Sequence, residues 1–399
     1  MTKRQQEHPA NMKHTRLGIL ALASTLFVAA CGGGPAAAGG SPPAPASASA
    51  LQAASVAASP SSAALAKPEA SVSASPIGQP AASSPRASTK PAAAGQTTPV
   101  TLALGYIPNI QFAPFYVAQA KNFYKDQGID ISFDNGTTSD LIKAVGAGKF
   151  KFVIADPDTV IQGRENNIPV TYIAGLYAQA PAAIISLPKA NIHRPQDLKG
   201  KKVGIPGRFG SSYIGLLGVL NKAGLTEKDI DLQEIGFNQP PQLLAGKVDA
   251  VVGYANNDAI LVQAQAHVKP NVILISDEIP FVGTGLITND DTLKSNDRLA
   301  QGMVKAMVEG MQYTAAHADE AFQITTKVVP EAGGANAKVN QDVLAASMAL
   351  WQDKATAANG LGYSDPAAWK AMEDVMVKAA IVKTAPPIDQ LITDKYISK

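Results

Sequence analysis

The 399-residue chain contains a single cysteine, Cys31. With no second thiol there is no intrachain disulfide, and nothing beyond residue 31 can offer thiolate chemistry. Histidine is almost as scarce. His8, His14, His193, His267 and His317 are dispersed, and no two of them stand at a metal-ligand spacing. The chain also lacks a G-x-S-x-G nucleophile elbow, a G-x-G-x-x-G turn and a Walker A loop, which removes the usual sequence signs of a serine hydrolase and of a nucleotide-cofactor domain. Asp156 and Asp158 could serve as an acid and base, but no nucleophile motif accompanies them. An excess of one charge is missing too. The 34 basic and 32 acidic residues nearly balance, and setting aside residues 1–30 removes four basic and one acidic residue, leaving 30 against 31. The slight basicity belongs to the front of the chain, and no nucleic-acid surface is expected.

What the front does have is a targeting pattern. Lys3, Arg4, Lys13 and Arg16 precede an apolar run, residues 17–30, too short to span a bilayer of roughly 20 apolar residues. Residues 1–30 therefore read as a signal peptide, and Met12 could equally begin it. The run ends Val28-Ala29-Ala30-Cys31, which resembles the bacterial lipobox. That resemblance implies a lipid-modified Cys31 at the new N-terminus and an anchor on the extracytoplasmic face of a membrane, the periplasm where there are two. Residues 31–98 are mostly Ala, Ser, Pro and Gly with few charges. They lack the large apolar side chains that offset ordering entropy, so a disordered tether between membrane and domain is expected.

From residue 99 onward about 300 residues remain, enough for two cores. An apolar run at 100–104 reads as a strand, 106–112 as a polar loop, and 112–128 as one amphipathic helix with Pro114 in its first turn and Gly128 as C-cap. Further strand–helix alternation, with nearly continuous apolar strands, predicts parallel α/β packing with both sheet faces covered. Residues 99–191 are expected to form the first lobe and 192–280 the second. Residues 281–399 would return to the first lobe and add mainly helices, among them Trp351 and Trp369 as packing residues. Two extended crossings between lobes make a clamp with a ligand cleft.

Ligands of open α/β sheets bind at the carboxyl ends of strands, and four such places hold polar residues. Asn109, Gln111 and Phe112 follow the first strand. Asp156 ends the third, although capping the next helix would explain it as well. Arg208, Ser211 and Ser212 lie in a strand-to-helix loop, where backbone amides suit an anionic or polar ligand group. Tyr254, Asn256, Asn257 and Asp258 follow the strand at 250–253, with Asp258 also a possible cap. Tyr177 and Gln179 precede the first crossing and are weaker candidates. Tyr116 and Tyr124 read as core.

The segments GYIPNIQFAPFYVAQAKNFYKDQGI, DLIKAVGAGKFKFVIAD, DLKGKKVGIPGRFGSSY and LLAGKVDAVVGYANND, in this order, resemble the substrate-binding proteins of importers driven by ATP hydrolysis. The branch is the one serving thiamine-pyrimidine precursors, nitrate, sulfonates and taurine. The resemblance spans residues 98–380. It implies a type II periplasmic-binding-protein fold, α/β with two lobes closing on a small molecule, and a membrane permease as partner. It carries ligand contacts onto 109–112, Asp156, 207–212 and 254–258. The PGRFGSS and GYANND forms look most like riboflavin-binding and thiamine-pyrimidine-binding members. Riboflavin is thus implied as the transported ligand, with a thiamine pyrimidine precursor or a small sulfonate or nitrate-like anion as alternatives. A monomer without cofactor or metal is implied. An iron-dependent pyrimidine synthase in the same family carries a cysteine-rich motif that this chain lacks, so no enzyme is expected. An exported hydrolase and a structural surface lipoprotein remain as readings of other classes.

Overall fold

The computed structural model describes Thr97–Lys399; the stretch read as a signal peptide, Cys31 and the expected tether up to residue 96 lie outside the described residues. Ten strands form two mixed five-stranded sheets. In chain order they are β1 (Thr98–Leu104), β2 (Ile129–Asn135), β3 (Phe152–Ala155), β4 (Val170–Gly175), β5 (Ala182–Ser186), β6 (Lys202–Ile205), β7 (Asp231–Glu234), β8 (Ala250–Tyr254), β9 (Asn271–Leu274) and β10 (Gly285–Asn289). The first sheet runs β2-β1-β3-β10-β4 and the second β7-β6-β8-β5-β9.

The strand sequences explain these positions. Edge strand β2, IDISFDN, alternates buried and exposed residues over its first four positions, as one covered face requires. Strands β3, β5 and β10 are buried along their whole length, because helices cover both faces. Strand β4 is also wholly buried although it ends the sheet order. The C-terminal segment covers its edge: Thr393 N donates to Tyr172 O at 3.0 Å and Gly175 N to Gly362 O at 2.7 Å. Such a cover keeps the β4 edge from recruiting another chain.

Pairing is not uniformly parallel. β1 pairs in parallel with β2 and β3, and β6 with β7 and β8. β10 runs antiparallel between β3 and β4, and β5 antiparallel between β8 and β9. Each antiparallel strand is the one a crossing delivers into the other lobe. A chain that leaves β4 at the cleft and enters the second sheet after six residues arrives without a return helix, so it runs against its neighbours. This moves the first lobe boundary. Residues 182–186, expected within the first lobe, form the inner strand β5 of the second sheet, so the lobes change at residues 176–181 and not at 191. The second crossing, residues 279–284, leads into β10. The two crossings touch: Leu176 N and Tyr177 N donate to Thr284 O at 2.9 and 3.1 Å.

The stretch 112–128, expected as one helix, is two, Ala113–Ala120 and Phe123–Asp126, and the loop before it ends in a 3-10 turn, Ile110–Phe112. Asn122, in the left-handed region at φ 65°, makes the break. Apolar spacing continues through it, since Tyr116 and Tyr124 are both in the core. The long helix Asp297–Ala316 lies against Ala113–Ala120, so close that a Cβ on Gly310 would come within 2.2 Å of Pro114 O. Trp351 and Trp369 are buried as expected, and Trp369 donates from Nε1 to Ser364 Oγ at 2.8 Å.

Candidate functional site

The carboxyl ends of β1, β3, β4, β6 and β8 converge on a cavity between the two sheets. Nine of the thirteen residues singled out from sequence line it: Gln111, Phe112, Asp156, Tyr177, Ser211, Ser212, Tyr254, Asn257 and Asp258. Its volume is about 70 Å³, against roughly 300–1,000 Å³ for ordinary ligand pockets. The lobes are closed on one another.

Asp156 is the centre of the closure. Pro157 begins the helix Pro157–Glu165 directly after it, and Asp156 has the extended backbone of an N-cap, yet its side chain makes no capping bond. It points across the cleft. Oδ1 accepts from Tyr254 OH and Thr284 Oγ1, both at 2.8 Å, and Oδ2 accepts from Ser211 N at 3.1 Å. Ser211 N and Tyr254 belong to the second lobe, so one carboxylate from the first lobe holds both the helix Gly210–Lys222 and the end of β8. Gly210 makes this approach possible. Its φ is +65°, and a Cβ there would stand 2.8 Å from Asp156 Oδ2. Asp158, fully buried behind it, accepts from Ser211 Oγ at 3.4 Å. Burial first, then the neighbouring Asp156 charge, push the Asp158 carboxyl well above its ordinary range.

A second polar cluster ties the lobes at Asn256. The residues after β8 form a wide π-type turn, Ala255–Ala259, of the kind that interrupts helices at functional sites. The turn buries Asn256, Asn257 and Asp258 together. Asn256 Nδ2 donates to Gln111 Oε1 at 3.0 Å and Ser347 Oγ at 2.8 Å, and Tyr177 OH donates to the same Gln111 oxygen at 3.2 Å. Burial pushes the Tyr177 phenol up to about 12, so it remains a donor at neutral pH. Asn256 thus stands behind the cavity wall and fixes Gln111.

Asp258 does not cap the helix that follows it; its side chain reaches back and accepts from Tyr254 N at 2.7 Å, while also lining the cavity. Burial pushes its carboxyl up to about 6. A pKa above the unfolded value of 3.8 favours the protonated folded form, so this contribution is complete below about 3.8 and is lost as pH rises through about 6. Asp258→Asn keeps an oxygen for Tyr254 N and removes the titration. Relative to wild type its stability should improve between pH 5 and 7 by roughly 1–3 kcal/mol. Denaturant melts at the two pH values measure this, and equal differences at both would contradict it.

Besides Asn256, three residues singled out from sequence lie outside the cavity: Asn109, Arg208 and the exposed Gln179. Asn109 accepts from Gln111 N at 3.0 Å and caps the 3-10 turn that positions Gln111 and Phe112. Arg208 turns onto the surface of the second lobe, donating to Glu227 at 2.6 Å and Glu234 at 3.0 Å. Glu227 and Glu234 are strong enough competitors that the guanidinium is not free for the cleft. Arg208→Ala should leave ligand affinity within about twofold of wild type, given the small worth of exposed ion pairs. A tenfold loss by equilibrium titration would place Arg208 back in the site.

The largest group that sequence reasoning passed over is aromatic. Tyr106 packs edge-on against Phe237 with ring centroids 4.8 Å apart, and Phe209 meets Phe237 at 6.3 Å. All three line the cavity, Tyr106 from the first lobe and the two Phe from the second. Burial, then the Asp258 charge, hold the Tyr106 phenol protonated. Thr138, Gln239 and Thr284 complete the polar wall. Phe237 and Gln239 follow the end of β7, so the strand-end rule that found the other loops would have found them.

Residues 109–321 match the family described as NMT1/THI5 like. The chain belongs to the NMT1/THI5-like family. Among its relatives, the riboflavin-binding protein RibY of Chloroflexus aurantiacus is 33% identical over 319 residues, 79% of this chain and 91% of that protein. The 4-amino-5-hydroxymethyl-2-methylpyrimidine phosphate synthase of Legionella pneumophila is 27% identical over 239 residues, 58% of this chain and 74% of that one. The solved alkanesulfonate-binding protein SsuA of Xanthomonas axonopodis pv. citri superposes with a TM-score of 0.59 at 14% identity, covering 75% of this chain and 99% of the other. At that identity the likeness is one of fold, and the NMT1/THI5-like chain has the two-lobed periplasmic-binding-protein fold. Among the described residues no group of three or more His, Cys, Asp or Glu is placed to hold a metal ion.

Proposed function

We propose that this chain is a lipid-anchored extracytoplasmic receptor that captures riboflavin in its interlobe cleft and delivers it to the permease of an ATP-driven importer. One observation carries the reading: a wall of three rings, Tyr106, Phe209 and Phe237, faces a wall of buried hydrogen-bonding groups in the same cleft. A flat heterocycle bearing many heteroatoms needs both. The 33% identity with a riboflavin-binding protein supports the choice of flavin. Rings supply stacking area, while Gln111, Asn257, Tyr177 and Thr284 supply donors and acceptors to read ring edges and hydroxyls.

A three-ring ligand exceeds a cavity of about 70 Å³, so capture begins with the lobes further apart. The crossings at residues 176–181 and 279–284 are the hinge, and the Asp156 contacts re-form on closure. The cavity's small size also favours a second reading, a single-ring thiamine pyrimidine precursor. Relatives named as synthases share part of the chain, but the sequence has no cysteine beyond Cys31, so binding without turnover is the reading kept.

Thermal melts of the purified chain separate the two ligands. At a hundredfold excess over Kd a ligand adds about 2.7 kcal/mol of stability. Riboflavin should raise the midpoint by several degrees and 4-amino-5-hydroxymethyl-2-methylpyrimidine by much less. The opposite order would replace the flavin reading with the pyrimidine one. For the anchor, Cys31→Ala should release the protein from the membrane fraction; undiminished retention would contradict lipidation.

A further inference from the structure

We propose that the cleft selects against negative charge, taking an uncharged heterocycle that donates hydrogen bonds and rejecting the phosphorylated form of the same compound. The proposal rests on reading this cleft as the ligand site, and it concerns the class of ligand more than the particular heterocycle.

The place where an anion would ordinarily bind is already filled. The thirteen-residue helix Gly210–Lys222 opens into the cleft, and its first amides and dipole would favour a phosphate or sulfonate there. Ser211 N instead donates to Asp156 Oδ2 at 3.1 Å. Asp156 is only 7% exposed and reaches this position from the opposite lobe. Gly210, with no side chain, leaves it room. The chain's own carboxylate thus occupies the anion position, and a ligand phosphate would have to displace it or lie beside it.

No compensating cation is at hand. None of the residues lining the cavity is Lys, Arg or His, and Asp258 adds a second carboxyl. The nearest cation in sequence, Arg208, is held outside by Glu227 and Glu234. Like charges brought together in a buried site are strongly disfavoured.

The unpaired polar atoms point the same way. Asn257 Oδ1 and Gln239 Oε1, each on a residue 2% exposed and lining the cavity, have no hydrogen-bond partner among the described residues, nor has Thr138 Oγ1. Asn257 Nδ2 is directed to Asp258 Oδ1 at 3.4 Å, which keeps the amide oxygen free for the ligand. The two amide oxygens can only accept, so the ligand must donate through N–H or O–H groups. Phosphorylation replaces one O–H donor of the ligand by a dianion that offers acceptors alone. In a pathway of use, hydrolysis of a phosphate monoester must therefore precede capture whenever the compound is met in its phosphorylated form.

The test titrates the full purified chain with two matched pairs at low ionic strength. One pair is riboflavin and riboflavin 5′-phosphate, followed by flavin fluorescence. The other is 4-amino-5-hydroxymethyl-2-methylpyrimidine and its phosphate, followed by calorimetry. The phosphate should bind at least about 100-fold more weakly than its uncharged partner. Phosphorylated and free forms binding within about threefold would overturn the proposal. If riboflavin fails to bind while the pyrimidine pair discriminates, the flavin reading falls and this one stands. Binding by none of the four overturns both. Asp156→Asn gives a second readout. Removing the charge should narrow the ratio between free and phosphorylated ligand by about tenfold, whereas a purely structural role would weaken both forms alike and leave the ratio unchanged.

Discussion

Asp156→Ala is expected to weaken riboflavin binding by about two orders of magnitude while leaving each lobe folded. The carboxylate accepts three hydrogen bonds in the closed cleft, from Tyr254 OH, Thr284 Oγ1 and Ser211 N. Hydrogen bonds to a charged group contribute roughly 1.5–3 kcal/mol each, and donors left buried without a partner cost more. Two of the three donors come from the second lobe, so the loss falls on closure. A binding protein that must close on its ligand loses affinity by the same free energy, and about 3 kcal/mol is roughly 150-fold. Asp156→Asn keeps one acceptor oxygen and should lose less. Equilibrium titration of the three proteins checks the order, with circular dichroism confirming that the lobes persist. Alanine binding as tightly as wild type would mean that the closure seen here is not the ligand-bound arrangement.

Removal of single rings from the aromatic wall should come next in size. Stacking of a heterocycle on an aromatic side chain is worth about 1–3 kcal/mol by alanine substitution, so Phe209→Ala and Phe237→Ala should each cost roughly 5- to 150-fold. Phe237 meets both other rings and should be the more sensitive. The double variant should lose less than the sum, because the two Phe support one another. Phe237→Leu separates stacking from plain apolar area: it should fall between wild type and alanine, with flavin fluorescence in the complex less quenched. Unchanged affinity in all four variants would remove the rings from the ligand's surroundings.

Much of the architecture was legible because the chain repeats one device, an apolar strand, a polar loop and a helix. Gln111, Asp156, Tyr254, Asn257 and Asp258 were found from strand-end position and polar type alone, and they meet in one cavity. What escaped was set by distant partners. Arg208 is adjacent to Ser211 and Ser212 in sequence, but Glu227 and Glu234 draw it outward, and nothing near residue 208 announces them. Strand β5 has the same apolar look whichever sheet it joins; only its antiparallel partners β8 and β9 decide. The break at Asn122 is hidden because the apolar spacing that suggests one helix passes through it undisturbed. The role of Asp156 was similarly hidden. Its sequence setting, before Pro157 and a helix, is that of a cap, and its ligating direction depends on Gly210, 54 residues further on, having no side chain.

The most direct test of the account is an equilibrium titration of the purified chain with riboflavin, read by flavin fluorescence at micromolar protein. Stacking against Tyr106, Phe209 and Phe237 predicts saturable quenching with one flavin bound per chain. Flavin fluorescence that stays unquenched across the titration would contradict it.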